Sequence, residues 1–546
     1  MQPTADIPEN YYLTNFLSLV EHCCRFSADL LPGHAHAKLT AFMHCPEPAQ
    51  RLFVRLACRK GPTFRSDKIR YPEIPSLTRQ ASKLAAAGLI EINPILTTTE
   101  LSALLTVAEL RQFFSLPAGK KAELVARLKE DFGDTPLSDE LTNTLPFETW
   151  RLVDNTLIPR LTLIYFGNQH QDLSEFVLRD LGVMRYESYP LNPAHRLFQC
   201  SDQVEHLLQL QQLFRDIESG AALPDDTQLS RFLPVASSPV TPPQSRRLNE
   251  LARLLERAER TEEALKIYAR SKEPPARERQ VRILARTTPD QALTLCRTIA
   301  DAPWDITEQT FCDNFQPRLE RQLGGPPVKR VSTHYPEINL ELENNGDRVE
   351  QQVLDHFSVQ GWNGVWCEND LLCGIFGLLC WPVIFSDQPG AFNHPFQRGP
   401  LDLSSSAFYS RRAPLFQNLF ADLRTTDIST LIQQRWSQKR GIQNPLVRWN
   451  RLTKELLVMA AERIPTSMLI ELCQQLAFDV RHYRSGLPDL FLWNNSDYQF
   501  IEVKGPGDSL QPSQKRWLKI LAKHQVLHSI CHVSWRESRQ NSESPS

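Results

Sequence analysis

The chain of 546 residues is poor in glycine (21) and rich in proline (39), which excludes a Gly-rich all-β protein and suits helices broken at prolines. It has no excess of one charge. Its 61 Lys and Arg stand against 63 Asp and Glu, a net charge of −2, which argues against a uniformly basic nucleic-acid coat but leaves room for local asymmetry. No apolar run reaches the ~20 residues needed to span a bilayer. The longest, Leu371 to Phe385, carries Pro382 and predicts a buried core helix ending near that proline. The opening stretch contains Asp6 and Glu9 and no apolar core of a secretory signal, so none is expected. None of the twelve cysteines forms a C-x-x-C pair, which predicts reduced, mostly buried thiols in a cytosol-type compartment. His22, Cys23, Cys24, His34 and His36 cluster in sequence, but adjacent cysteines do not offer finger-like spacing, and no metal site is expected there.

What is present fits a globular chain. Apolar residues at 41% and charged residues at 23% are ordinary values, and the length calls for roughly three or four domains. Basic residues are concentrated early. Between Arg51 and Lys83 nine basic residues meet two acids, and Arg51, Arg55 and Arg59 recur every four residues on one helix face. Such a stripe is either a solvated face or a contact to a phosphate backbone, and with Lys60 it gives a candidate DNA-binding surface.

Thr106 with Glu109 three residues on predicts a capping box opening a short helix. After a break at Pro117 to Gly119, a second helix carries Leu124 and Leu128 on one face and Lys120, Lys121, Arg127 and Lys129 at polar positions. The pair resembles the SAP module, a small DNA-binding helical hairpin, with Lys120, Lys121 and Arg127 as candidate contacts. Leu223 to Arg247 reads as a Pro- and Ser-bearing linker. The following stretch to Ala300 is amphipathic helix after helix, a tetratricopeptide-like array without a clean period, and twelve basic against seven acidic residues lie between Arg246 and Arg286.

The chemistry is concentrated between Gly486 and Gln514. Leu490–Trp493 and Tyr498–Val503 read as two strands joined by an Asn-Asn-Ser-Asp turn. Asp489 heads the first and Glu502 nears the end of the second, so ~5 Å strand spacing brings their carboxylates together. Glu502 and Lys504 are two apart and project to the same face. This is the PD-(D/E)xK pattern of metal-dependent nucleases. Pro512 is placed to open a helix, on which Gln514 shares a face with Trp517, Leu518 and Leu521. Lys515, Lys519 and Lys523 form a separate stripe, and a last strand from Val526 to Trp535 closes the unit.

Gly-Leu-Pro-Asp489-Leu, Glu502-Val-Lys504-Gly-Pro-Gly-Asp508, Gln514 and Cys531-His-Val resemble the VRR-nuclease domain of the Fanconi-associated nuclease family. Upstream, Val349-Glu350, His356-Phe357, Gly361, Gly364-Val365, Glu368, Leu371 to Phe385 and Pro400-Leu-Asp-Leu403 follow the same order. Tyr11-Tyr12-Leu13, the RLFVRLACRK stretch and the SAP-like hairpin extend the resemblance over nearly the whole chain.

The resemblance implies a multidomain, mainly α protein with a C-terminal α/β restriction-endonuclease-like core. The expected divisions are a basic helical domain at 1–100, the SAP-like hairpin at 101–135, a helical region and linker at 136–247, tetratricopeptide-like repeats at 248–330 and the nuclease at 335–540. Metal ligands would be Glu368, Asp489, Glu502 and the Val503 carbonyl, with Lys504 catalytic and Gln514 supporting. Hard oxygen ligands suit Mg²⁺ or Mn²⁺, with two ions per site. The implied activity is cleavage near 5′ flaps with 5′-to-3′ exonuclease trimming, in interstrand crosslink repair. Competing expectations are a junction resolvase acting as a dimer and a helical-repeat DNA scaffold without catalysis. DNA is the expected partner, with no membrane. The expected state is a monomer in the absence of DNA, cytoplasmic at the nucleoid in a bacterium and nuclear in a eukaryote. Two departures stand out: no zinc-finger pattern, hence no ubiquitin-binding finger, and Ser509 after Asp508 where relatives are expected to carry an arginine.

Overall fold

The computed structural model describes residues 10–59, 61–137, 145–168, 171, 184–233, 239–327 and 334–536. The chain divides into two compact units: Met1–Val183 with Phe198–Asp216, and Met184–Leu197 with Ile217–Ser546.

In the first unit, α1 (Tyr11–Phe26) and α2 (Glu47–Ala57) bury Phe16 and Phe53, with Phe42 between them, edge-on to Phe16 at 5.2 Å and tilted against Phe53 at 5.3 Å. A small sheet follows, of β1 (Thr63–Arg65), β2 (Ile90–Ile92) and β3 (Thr149–Leu152) in the order β1-β3-β2, both pairings antiparallel. The central strand thus comes from well beyond residue 135. The stretches expected as separate pieces at 1–100 and 136–247 share one sheet, with the hairpin inserted between them.

That hairpin, α3 (Val107–Phe113) and α4 (Lys121–Phe132), has the expected capping box. The Glu109 N–H donates to Thr106 Oγ1 at 3.3 Å, and the Thr106 N–H donates to the Glu109 carboxylate at 2.8 Å. Leu110, Leu124 and Leu128 are buried on its inner face. The helix α5 (Leu157–Phe166) returns to α1, where Cys23 Sγ donates to the Leu161 carbonyl at 3.7 Å and His22 meets the edge of Tyr165 at 4.9 Å. His22 and Cys23, two of the five residues of the early His/Cys cluster, are thereby used in packing.

In the second unit, the helices expected after the linker are present at Pro242–Arg257, Thr261–Tyr268, Ala276–Thr287, Pro289–Asp301 and Ile306–Gln322. Their lengths of 16, 8, 12, 13 and 17 residues form no equal repeat, and the tetratricopeptide reading is not supported beyond successive packed helices.

The nuclease core is a five-stranded sheet of β4 (Glu337–Leu342), β5 (Asn363–Trp366), β6 (Leu490–Trp493), β7 (Tyr498–Lys504) and β8 (His528–Trp535), ordered β4-β8-β7-β6-β5. The β5–β6 and β6–β7 pairings are antiparallel, whereas β7–β8 and β8–β4 are parallel, so the β7-to-β8 connection needs a crossover helix. Three helices position the site: α6 (Val349–Val359), α7 (Asp370–Leu379) and the crossover helix α8 (Pro512–Lys523). The expected helix over Leu371 to Phe385 is two pieces, α7 and Trp381–Ile384, because Pro382 cannot continue the first and opens the second. Every residue of α7 is buried. Gly377 is needed there, since a Cβ would lie 2.7 Å from Val447 Cγ2. The strand β4 is not among the expected strands, although its Glu-Ile-Asn-Leu-Glu-Leu alternates with a period of two. It is an edge strand with Glu337 and Glu341 exposed and Ile338, Leu340 and Leu342 packed against the core.

Candidate active site

Asp489 sits at the entrance to β6 and is held from both sides. Its carbonyl accepts the N–H groups of Cys367 at 2.9 Å and Glu368 at 3.0 Å, and its Oδ2 accepts the Val503 N–H at 2.9 Å. The chain reaches it through Gly486, whose φ of +83° favours glycine, and a Cβ there would stand 2.6 Å from the Ser513 backbone. Glycine therefore lets the start of α8 approach the strand. Glu368 turns the chain out of β5 with a φ of +38°, a conformation that costs a non-glycine residue about 1–3 kcal/mol and is characteristic of functional positions.

Glu502 and Lys504 project to one face of β7 as the alternation requires, with Nζ of Lys504 2.8 Å from Oε1 of Glu502. Both are buried, at 1% and 6% exposure. Gln514 on α8 bridges them. Its Nε2 donates to Glu502 Oε1 at 2.5 Å, while its Oε1 accepts from Lys504 Nζ at 3.1 Å and from the Gln511 N–H at 2.8 Å. The last bond belongs to a capping box at the start of α8, so the cap and the site share one side chain. The other oxygen of Glu502, Oε2, is buried with no hydrogen-bond partner.

Burial dominates the electrostatics. It pushes the Glu502 carboxyl up to about 8, assisted by the neighbouring Asp489 charge and opposed by Lys504. It pushes Asp489 up to about 6, opposed by the Val503 N–H, with Glu350 and Glu368 raising it further. Glu350, on the first turn of α6, is a neighbour to which sequence reasoning assigned no role, although it lies in the stretch that carries the resemblance. Two adjacent buried carboxyls, one with an orphaned oxygen, are the chemistry of a site for hard divalent cations, and the oxygen donors present fit such ions.

A second acidic group is explained by capping. Asp305, Asp479 and His482 bring ligand atoms within 4.8 Å of one another. However, Asp305 accepts the Glu308 N–H at 2.9 Å, and Asp479 accepts the N–H groups of Ile306 and His482, both at 3.1 Å.

The expected DNA-binding residues fare unevenly. Arg51 pairs with Glu47 at 2.6 Å and Arg59 donates to the Tyr71 hydroxyl at 3.0 Å. Arg55 pairs with Glu73 at 2.7 Å and lies 3.8 Å over the Tyr12 ring, so it is an internal tie rather than a free cation. Lys121 Nζ donates to the Leu105 carbonyl at 2.7 Å, whereas Lys120 and Arg127 are exposed. Lys60 lies outside the described residues.

Buried carboxylates with a lysine two residues on, at the end of a mixed sheet crossed by a helix, define a nuclease of the PD-(D/E)xK class. Family models match at residues 10–91 (FAN1, HTH domain), 95–138 (Fanconi anemia-associated nuclease SAP domain) and 423–535 (VRR-NUC domain). The Fanconi-associated nuclease 1 homolog of Pseudomonas aeruginosa is 34% identical over 542 residues, covering 96% of each chain. The Oryza sativa homolog is 27% identical over 96% of this chain and 62% of its own length, and Homo sapiens Fanconi-associated nuclease 1 is 34% identical over 34% of this chain. A crystal structure of paFAN1 bound to 2nt 5′ flap DNA with gap superimposes at a TM-score of 0.81, with 33% identity over 98% of this chain and 100% of the other. The chain belongs to the Fanconi-associated nuclease 1 family.

Among the described residues, no helix is long and apolar enough to cross a membrane.

Proposed function

We propose that the protein cuts DNA near 5′ flaps, with 5′-to-3′ exonuclease trimming, in interstrand crosslink repair. The observation that carries this reading is the buried, unpartnered Oε2 of Glu502 beside Asp489, because a carboxylate oxygen is stable there only with a proton or a cation. The substrate class is supported by the likeness to a relative crystallised on flap DNA.

Glu368, Asp489, Glu502 and the Val503 carbonyl would hold two ions of Mg²⁺ or Mn²⁺, which when bound supply the positive charge that polarises the phosphate and acidifies the attacking water. Lys504, anchored by Glu502 and Gln514, directs a compact charge at the phosphate and the incoming water. Gln514 fixes both partners at once and acts as a positioning residue. In the first unit Arg51, Arg59, Lys120 and Arg127 supply phosphate contacts, and Arg55 holds the scaffold behind them. The protein acts as a monomer in the absence of DNA, in the nucleoid compartment of a bacterial cell.

A substrate panel tests this: 5′-flap, 3′-flap, four-way junction and plain duplex, each with Mg²⁺ and with Mn²⁺. Fastest cutting of the 5′ flap supports the reading. Faster cutting of the four-way junction replaces it with a resolvase.

A further inference from the structure

We propose that Arg348, Arg448 and Arg451 form a second phosphate grip beside the site, holding a DNA backbone phosphate next to the one cut. The proposal rests on the nuclease reading above.

Three observations carry it. The first is position. Trp366 ends β5 opposite Leu490, the residue after Asp489, and Asp370 lies two residues beyond Glu368. The residues between Trp366 and Asp370 include the two N–H groups that hold the Asp489 carbonyl. Arg348 immediately precedes α6, the helix whose first turn carries Glu350. Whatever the three arginines bind therefore lies at the same end of the sheet as the carboxylates.

The second is charge. Asp370, 6% exposed, is approached by Nε of Arg448 at 3.2 Å and Nε of Arg451 at 2.9 Å. One carboxylate needs one guanidinium, and here it faces two, with a third close by. The excess is positive at the edge of a site where the carboxylates of Asp489 and Glu502, with Glu350 and Glu368 nearby, outnumber the one lysine, Lys504. A carboxylate-rich site that must admit a polyanion needs such a counterweight.

The third is orientation. The guanidinium carbons of Arg348 and Arg451 lie over the Trp366 ring at 4.8 and 4.9 Å from its centroid. A guanidinium held against an indole face is restrained in position, and its terminal N–H donors stay available to another partner. Among the described residues, no hydrogen bond joins the terminal nitrogens of Arg348, Arg448 or Arg451 to a protein acceptor. The Arg448 side chain is 60% exposed and that of Arg451 is 32% exposed. Two guanidiniums held at Trp366 with unbonded terminal nitrogens, and an exposed third, offer the paired N–H donors that a phosphodiester accepts. A purely structural cluster would turn those donors inward.

The experiment measures binding of the full chain and its R348Q, R448Q and R348Q/R448Q variants to a 5′-flap duplex across a salt series, with Ca²⁺ in place of a catalytic ion. The double variant is expected to bind roughly tenfold more weakly, from the loss of charge-assisted hydrogen bonds. Its slope of log affinity against log salt should fall by about 0.9, the contribution of one phosphate. Replacing single phosphates of the flap duplex by methylphosphonate should find one position that weakens the wild type and leaves the double variant indifferent. Melting temperatures of the variants serve as the fold check, and R448Q alone, at an exposed position, keeps the test valid where the double variant is unstable. An affinity and salt slope equal to wild type, or no position with that pattern, overturns the proposal. D489A run alongside separates the two readings: if flap cutting depends on Asp489 but the arginine variants bind as wild type, only the grip fails.

Discussion

Gln514 Nε2 stands 2.5 Å from Oε1 of Glu502 while its own Oε1 accepts from Lys504 Nζ at 3.1 Å. One neutral side chain on α8 thus fixes the acid and the base of a motif carried by β7. Removing it leaves Glu502 and Lys504 buried without their bridge. Gln514→Ala is expected to lower the single-turnover rate by roughly 10- to 100-fold, the value of hydrogen bonds to charged groups, with little change in DNA affinity. Gln514→Glu should not rescue it, because it places a third carboxylate beside Glu502. Stopped cleavage time courses at saturating enzyme separate the two quantities.

Ion binding should release protons. Glu502 titrates at about 8 and Asp489 at about 6 without an ion, so at pH 7 the first is mainly protonated and the second mainly ionised. Since a cation displaces the proton, Mn²⁺ binding at pH 7 is expected to release close to one proton. The release should approach two near pH 5 and fade above pH 9. Titration calorimetry in buffers of different ionisation enthalpy measures it, and Glu502→Gln should remove most of the release at pH 7.

The same groups set a pH trend in stability. Both carboxyls bind protons more tightly in the folded protein than in the unfolded one, whose values are near 4. The folded state therefore holds more protons in the interval between, and stability falls as pH rises. Their contribution is complete below about pH 4 and is lost as pH climbs through about 6 for Asp489 and about 8 for Glu502. In the ion-free protein, denaturant midpoints should decline between pH 5 and 9. Glu502→Gln should flatten the decline, and saturating Mn²⁺ should reverse it by mass action.

In the first unit the decisive tie is Arg65, 6% exposed, which pairs with Glu109 at 2.7 Å and Asp67 at 2.9 Å and lies 3.8 Å over the Phe147 ring. It joins the end of β1 to the capping box of α3, and it holds the Glu109 carboxyl down to about 2. Arg65→Met should destabilise this unit by about 2–3 kcal/mol, below the range for a fully buried pair because Glu109 is about a third exposed. Thermal unfolding followed by calorimetry, comparing wild type and Arg65→Met, reads the effect.

Much of this was legible in the sequence, for reasons that differ by element. Strand alternation placed Glu502 and Lys504 on one face, and the position of Pro512 placed Gln514 over them, because those relations are local and periodic. The capping box at Thr106 and the buried stretch beginning at Leu371 followed from equally local rules. Long-range pairing was not legible. β3 inserts between β1 and β2 from far along the chain, and β4 pairs with β8 across the whole nuclease unit. Neither pairing has a turn to announce it, although β4 by itself alternates with a period of two. The Arg51, Arg55 and Arg59 stripe shows the same limit: its spacing sets one helix face, but Glu73, eighteen residues from Arg55, decides that Arg55 is tied.

The central claim is that Asp489 and Glu502 form the ion-holding centre of a flap nuclease. Cleavage of an end-labelled 5′-flap duplex by Asp489→Ala and Glu502→Ala proteins, with Mg²⁺ or Mn²⁺ and with flap affinity checked in parallel, tests it most directly. The account predicts that each substitution abolishes ion-dependent cutting while binding persists. Cutting at the wild-type rate by either variant would contradict it.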